Sequence, residues 1–148
     1  MLTDTLKSLF SRDLAKLKAE IELYQNEEKI WYVEENIANS AGNLCLHLVG
    51  NLNIYVGAEF GASGYVRNRE LEFSAKDVPR TVLLEQISET ARIVDATIDQ
   101  LTVEQLQAEC PIQFFDKIIS TEYFLVHLVS HLAYHIGQIN YHRRLLDK

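Results

Sequence analysis

Helical periodicity is the sequence feature that most constrains the fold. Apolar residues recur every three or four positions in four long stretches, and almost no segment alternates with the two-residue period of a strand. The spacing predicts a first helix from near Asp4 to about Gln25. A second helix is predicted after Ser40, a suitable N-cap, and it ends at Gly61 and Gly64.

Two further helices are predicted in the second half of the chain. Pro79 is a helix-start signal, and the apolar stripe behind it predicts a third helix that continues to Leu101. Ser120 or Thr121 is the expected cap of a long fourth helix that reaches Leu146. The segment GASGYVRNRELEFSAKDVP, before the third helix, is predicted to be a long loop, and loops of that length are often functional.

Length, composition and charge restrict the class of protein. A chain of 148 residues that is 47% hydrophobic and 24% charged is expected to form one globular domain, residues 1–148. The four amphipathic helices and the near absence of strand alternation predict an all-α four-helix bundle for it. The formal net charge of -7, with scattered cations, argues against nucleic acid as a partner. The first residues, MLTDTLKSLFSRDLAKLK, lack the apolar run of a signal peptide or membrane span, so a cytoplasmic location without membrane attachment is expected.

The histidines form the most informative cluster of polar residues. Four of the five lie in the predicted last helix, within HLVSHLAYHIGQINYH. Residues on a helix share one ligand only when they are three or four positions apart, which leaves the pairs His127/His131 and His131/His135. Imidazoles one turn apart lie within reach of one metal ion at about 2.0 to 2.1 Å per bond. A third ligand must come from elsewhere, and His47 is the remaining histidine.

The alternative to metal binding is that these histidines are packed core or surface residues, although each buried nitrogen without a partner costs about 1 to 3 kcal/mol. The His-Glu-x-x-His motif of zinc proteases is absent, and no histidine follows a Glu by three residues, so a mononuclear site is favoured. Cys45 lies two residues from His47, on a different helix face, and is disfavoured as a fourth ligand. With Cys110 as the only other cysteine, no disulfide framework is suggested.

These segments are similar to a known family. HLVSHLAYHIGQI resembles the His-x-x-x-His-x-Gly-Gln signature of the DinB/YfiT-like superfamily, and GNLCLHLVGNLNIYVGA followed by GYVRNRELEF resembles one of its branches. The resemblance covers the chain from Lys18 to Leu145. It implies a four-helix bundle with up-down-down-up topology, often a homodimer, and a three-histidine site for nickel, zinc or a similar divalent ion.

The resemblance also assigns residues to the site. It gives His47 the role of the ligand on the second helix, and His131 and His135 the roles of ligands on the fourth. Ile136 is a departure, because many members have an arginine between the second histidine and the glycine. The residues expected in the pocket or behind the ligands are His127, Asn51, Gln138, Arg67 and Arg69. His127 either lines the pocket or replaces His135 as a ligand.

The function implied by the resemblance is a metal-dependent reaction. Characterised members include transferases for low-molecular-weight thiols, such as bacillithiol or mycothiol, and a thiol-dependent isomerase. Three protein ligands leave one open position, where a bound thiol is deprotonated or a bound water is activated for hydrolysis. Arg67 and Arg69 are expected either to pair with carboxylates of an anionic thiol or to form ion pairs at the surface or between subunits.

Two alternatives to thiol transfer remain open at this point. One is a metal-dependent hydrolase. The other is a non-catalytic, stress-associated dimer whose metal site is structural or vestigial. A homodimer is expected from the family and from apolar residues outside the four helical stripes, namely Trp31, Phe114 and Phe115.

Overall fold

The computed structural model describes residues 1–148, and these residues are largely helical with no strand. The helices, in chain order, are α1 (Leu2–Leu23), α2 (Ala41–Leu52), α3 (Glu59–Gly61), α4 (Arg69–Ser74), α5 (Arg80–Asp99), α6 (Val103–Gln107) and α7 (Thr121–Leu146). A short 3-10 helix, Glu27–Trp31, follows α1. None of the helices combines the length and the apolar character needed to cross a membrane.

The helix ends follow from local hydrogen bonding. The Ser40 side chain caps α2 by accepting a hydrogen bond from the Asn43 backbone N–H, and Ser120 caps α7 in the same way through Tyr123. Pro79 stands at the N-cap of α5. The predicted starts of these three helices are therefore confirmed, and α7 ends at Leu146 as expected.

Helix α2 continues beyond its regular part through a π-helical segment, Asn53–Ala58, into α3. At the start of this segment Asn53 donates from Nδ2 to the Val49 carbonyl oxygen at 2.8 Å and to Thr90 Oγ1 at 2.9 Å. These bonds tie the altered helix to α5. The predicted second helix ends at Gly61 as expected, but its change of winding was not predicted.

The long helices pack in a bundle-like arrangement around one hydrophobic core. Helix α1 contacts both α5 and α7, and α2 contacts the same two helices. Buried leucine, isoleucine and phenylalanine side chains from all four fill the centre. Because α2 lies against α7, side chains of one face of each helix meet between them.

Helix α4 corrects the prediction of one continuous loop between Gly61 and Pro79. Asn68 caps its first turn by accepting from the Leu71 backbone N–H at 3.1 Å. Asn43 of α2 holds its end by donating from Nδ2 to the Glu72 and Ala75 carbonyl oxygens, at 3.0 and 2.8 Å. The loop prediction was wrong because the apolar face of so short a helix offers too few residues to show a period.

Trp31 also differs from expectation. It is buried in the core of its own chain, 9% exposed, and its ring lies directly against the backbone of Gly42. A Cβ atom at position 42 would come within 2.7 Å of three Trp31 ring atoms. Trp31 therefore provides no surface for a second chain, whereas Phe114 is 47% exposed.

Candidate metal centre

Three histidines from two helices meet where α2 packs against α7. The ligand atoms of His47, His131 and His135 all lie within 4.8 Å of one another. His131 and His135 are one turn apart on α7, and His47 faces them from α2. The structure thus brings together the three residues to which the family resemblance assigned the metal.

The geometry of the closest pair fits a metal ion. His47 Nε2 lies 3.3 Å from His131 Nε2. Two nitrogens that each lie about 2.0 to 2.1 Å from a tetrahedral ion are about 3.3 to 3.4 Å apart. The aromatic planes of the three rings are also steeply inclined to one another, with His131 and His135 at 87°. The three rings therefore meet edge to face and are not stacked on one another.

Hydrogen bonds on the far side of two rings leave the inner nitrogens free. His47 Nδ1 lies 3.1 Å from Glu72 Oε1, and His135 Nδ1 lies 2.7 Å from Gln138 Oε1. Both oxygens accept, so each Nδ1 donates its proton and each Nε2 carries a lone pair. Gln138, a residue expected near the site, therefore holds His135.

His131 is the least satisfied of the three rings. Its Nδ1 is buried without any hydrogen-bond partner, and its Nε2 has only another imidazole nitrogen nearby. An unsatisfied buried nitrogen costs about 1 to 3 kcal/mol. A metal ion held by Nε2 would give that nitrogen a partner, whereas Nδ1 would stay without one.

His142 shows the contrasting case of a structural histidine. It is buried at the end of α7, and both ring nitrogens are bonded. Nε2 donates to the Tyr32 carbonyl oxygen at 2.7 Å, and Nδ1 accepts from the Tyr24 hydroxyl at 2.6 Å. No nitrogen is left for a metal ion.

Burial lowers the pKa of two of the site histidines, His47 and His131. Burial is the largest cause that lowers the pKa of His131, to about 4, and the neighbouring His135 and His47 lower it further. Burial also lowers the pKa of His47, more than its hydrogen bond with Glu72 raises it. Metal ions bind the neutral imidazole, so both rings are in the form that binds at neutral pH.

Cys45 takes no part in the cluster. Its side chain is completely buried, and burial raises the pKa of the thiol to about 12. It is therefore a protonated core residue at neutral pH. The set of possible ligands around the site contains three histidines and no cysteine or carboxylate.

The comparison with protein families identifies the chain. A family model described as "Protein of unknown function (DUF1572)" matches residues 4–148. The chain belongs to the DUF1572 family. No curated protein and no solved structure matches this DUF1572 chain.

The remaining expected site residues lie at different distances from the three histidines of the DUF1572 chain. Asn51 is buried one turn beyond His47, and its Oδ1 has no partner. His127 lies outside the cluster, with its ring 6.5 Å from that of His131 and 5.0 Å from that of Phe115. The structure therefore places His127 in an aromatic group beside the site.

The two arginines have distinct surroundings. Arg67 donates from Nε to Glu72 Oε2 at 2.8 Å and from Nη2 to Glu72 Oε1 at 2.9 Å, so its charge is matched within the chain. Arg69 is exposed, with its guanidinium 5.3 Å from the centre of the Phe73 ring. That ring in turn lies 4.9 Å from the ring of His47.

Glu72 is the site residue that sequence reasoning missed. It is 6% exposed and contacts His47 from a position 25 residues away in the chain. No local spacing signals such a contact, and the residue lies in a segment predicted to be a loop. A carboxylate partner for a ligand histidine is a common feature of metal sites, which would have justified searching for one.

The lowered pKa of His131 predicts a pH-dependent stability of the metal-free chain. The pKa of His131 is about 4 in the folded chain, whereas a histidine of the unfolded chain titrates near 6.5. With a chelator present, the free energy of unfolding should therefore decrease as the pH falls through this range. Between these values the unfolded state binds more protons, so acid favours it. Above about 6.5 the group is neutral in both states and contributes no pH dependence.

Urea unfolding at a series of pH values measures this effect. His131→Leu removes the titrating group, so its stability should fall less steeply than that of the wild type in the same window. Equal slopes for the two proteins would contradict the assignment.

Proposed function

We propose that the chain is a metal-dependent enzyme of the DinB/YfiT-like type, which transfers a low-molecular-weight thiol to an electrophile. The observation that carries the proposal is the convergence of three histidine ligand atoms within 4.8 Å, with no fourth protein ligand in the group. Three ligands with an open position are typical of catalytic rather than structural sites. Nickel and zinc are the expected ions, because both accept imidazole.

The side chains around the site would take separate roles. His47, His131 and His135 would hold a divalent ion, which would act as a Lewis acid toward a thiol and lower its pKa. His47 and His131 stay neutral and available because burial lowers their pKa values. Arg69, exposed beside Phe73, offers a guanidinium to a carboxylate of an anionic thiol. Arg67, paired with Glu72, is not free for that role.

The proposed reaction is a substitution without net oxidation or reduction. The thiol sulfur forms a bond to the electrophilic carbon, and the bond from that carbon to its leaving group breaks. The thiol proton passes to solvent, and the leaving group departs with its electron pair. Activation of water at the same open position would give a hydrolase instead, which makes hydrolysis the alternative outcome to measure.

The proposal predicts which histidines bind the metal. His47→Ala, His131→Ala and His135→Ala should each abolish stoichiometric binding of Zn²⁺ at pH 7.5, because the loss of one of three ligands leaves an incomplete set. His142→Ala and His127→Ala should retain it, since neither residue belongs to the cluster. Titration calorimetry on protein purified without nickel resin is the measurement. Loss of binding in the His142 variant together with retention in the His47 variant would refute the assignment.

Another prediction concerns the reaction and Arg69. Zinc- or nickel-loaded protein should accelerate the reaction of N-acetylcysteine with 1-chloro-2,4-dinitrobenzene, followed by absorbance. Arg69→Met should raise the KM for this anionic thiol about tenfold, as expected for one lost charge-assisted hydrogen bond of about 1.5 kcal/mol. The same change should leave the KM for neutral 2-mercaptoethanol unchanged. If the protein binds metal but accelerates the reaction of neither thiol, the hydrolase or the non-catalytic dimer is favoured.

We further propose the finer architecture that accompanies this function. The four helices α1, α2, α5 and α7 would form an up-down-down-up bundle. The contacts of α1 and α2 with both α5 and α7 support a bundle of four helices, and the order of their directions is what the family resemblance implies. A homodimer is supported by exposed apolar side chains along one face of α7, namely those of Tyr134, Tyr141 and Leu145, each at least 60% exposed.

The proposed homodimer predicts a doubled mass in solution. Sedimentation equilibrium at micromolar concentration should report about twice the chain mass of 17.0 kDa. Tyr134→Glu with Tyr141→Glu should shift the protein to monomer, because buried charges without partners oppose association. Lys148→Glu, at the end of the chain, is the control for added negative charge. A monomeric wild type would contradict the proposed dimer.

A further inference from the structure

We propose that Glu72, with Arg67 behind it, is a positioning residue that holds His47 in the tautomer and orientation needed to bind the metal. This inference rests on the proposed metal centre. It adds two residues behind the ligand His47 to the three histidines. Glu72 lies in α4 and Arg67 in the segment before it, whereas His47 lies in α2.

The contacts of His47 Nδ1 determine the tautomer. Nδ1 lies 3.1 Å from Glu72 Oε1 and 3.4 Å from Arg67 Nη2. A lone pair on Nδ1 would face a carboxylate oxygen at the shorter of these distances, which is repulsive. The proton therefore lies on Nδ1 and is donated to Glu72, and the lone pair lies on Nε2, the atom nearest His131.

Arg67 fixes the carboxylate that accepts this proton. Its two hydrogen bonds to separate oxygens of Glu72 form a bidentate pair, and the side chains are 13% and 6% exposed. Such a fork restricts the rotation of the carboxylate as well as matching its charge. Glu72 thus accepts from both Arg67 and His47 without turning.

Gly50 makes room for the carboxylate. It lies on α2 close to one turn beyond His47, and a Cβ atom at this position would overlap the Glu72 carboxylate. The helix therefore has a gap in its side-chain surface where Glu72 enters. Any larger residue at position 50 would displace the end of the Glu72 side chain.

Two observations argue against a purely structural role for this ion pair. A buried ion pair is weak evidence for stability, because the desolvation cost offsets the attraction. In addition, Asn43 already holds α4 on α2 through backbone carbonyl oxygens, at 2.8 and 3.0 Å, independently of the Glu72 side chain. The Glu72 side chain is therefore not needed to hold α4 on α2, and its carboxylate can orient His47.

The test separates positioning from folding. Glu72→Leu combined with Arg67→Leu removes both charges together, so no uncompensated charge is left in the core. The double variant should bind Zn²⁺ about 10- to 100-fold more weakly than the wild type at pH 7.5, the range found when such partners of ligand histidines are lost. The control is Arg92→Leu combined with Glu89→Leu, an exposed ion pair of the same charges on α5, which should leave the affinity unchanged.

Gly50→Ala provides a second variant that keeps every charged group. Its new Cβ displaces the Glu72 carboxylate, whose flexible side chain can move, and the affinity for Zn²⁺ should fall in the same direction. Imidazole ¹⁵N spectra of the metal-free proteins show which nitrogen of His47 carries the proton. A variant that only lost stability but stayed folded would not change this readout. His47 should carry its proton on Nδ1 in the wild type and on a mixture of both nitrogens in the two variants.

The possible outcomes are distinct. If the wild type binds zinc, and both variants bind it equally well with His47 still protonated on Nδ1, the positioning role is overturned and the metal centre stands. A wild type that binds no zinc overturns the metal centre and this inference with it. Weaker binding in both variants, a mixed tautomer and an unaffected control would support the inference.

Discussion

The contact between α2 and α7 is the interaction on which the candidate site depends. A single helix places two histidines one turn apart but cannot bring a third to the same height, so the cluster exists only because a second helix lies against the first. Burial between these helices has a further effect on the imidazoles. It lowers the pKa values of His47 and His131 and so makes them ready ligands at neutral pH. Packing thus supplies both the geometry and the charge state.

Much of the scaffold could be predicted from the sequence because it follows from local patterns. The cap at Ser40, Pro79 at the start of α5 and the full extent of α7 all rest on residues within a few positions of one another. The pair His131 and His135 is local in the same sense. His47 was assigned through the family resemblance and as the only remaining histidine, not through a spacing rule.

The parts that could not be predicted depend on contacts distant in the chain. Glu72 reaches His47 through the docking of α4, and Arg67 is drawn into the same group. Sequence alone left Arg67 open to a substrate or to the surface, since nothing near it marks Glu72 as its partner. Trp31 was misjudged for a similar reason, because only the folded chain shows that Gly42 leaves space for its ring.

The attachment of α4 has a consequence for how the site responds to motion. This six-residue helix packs on α2, and side-chain bonds from Asn43 hold its end. Short elements with few neighbours open locally at a lower free energy than the long helices of a core. Opening of α4 would carry Glu72 away from His47 while α2 and α7 remained folded. The time that an ion stays bound would then depend on how firmly α4 packs on α2. Amide hydrogens of the long helices would exchange slowly even where the metal is released rapidly.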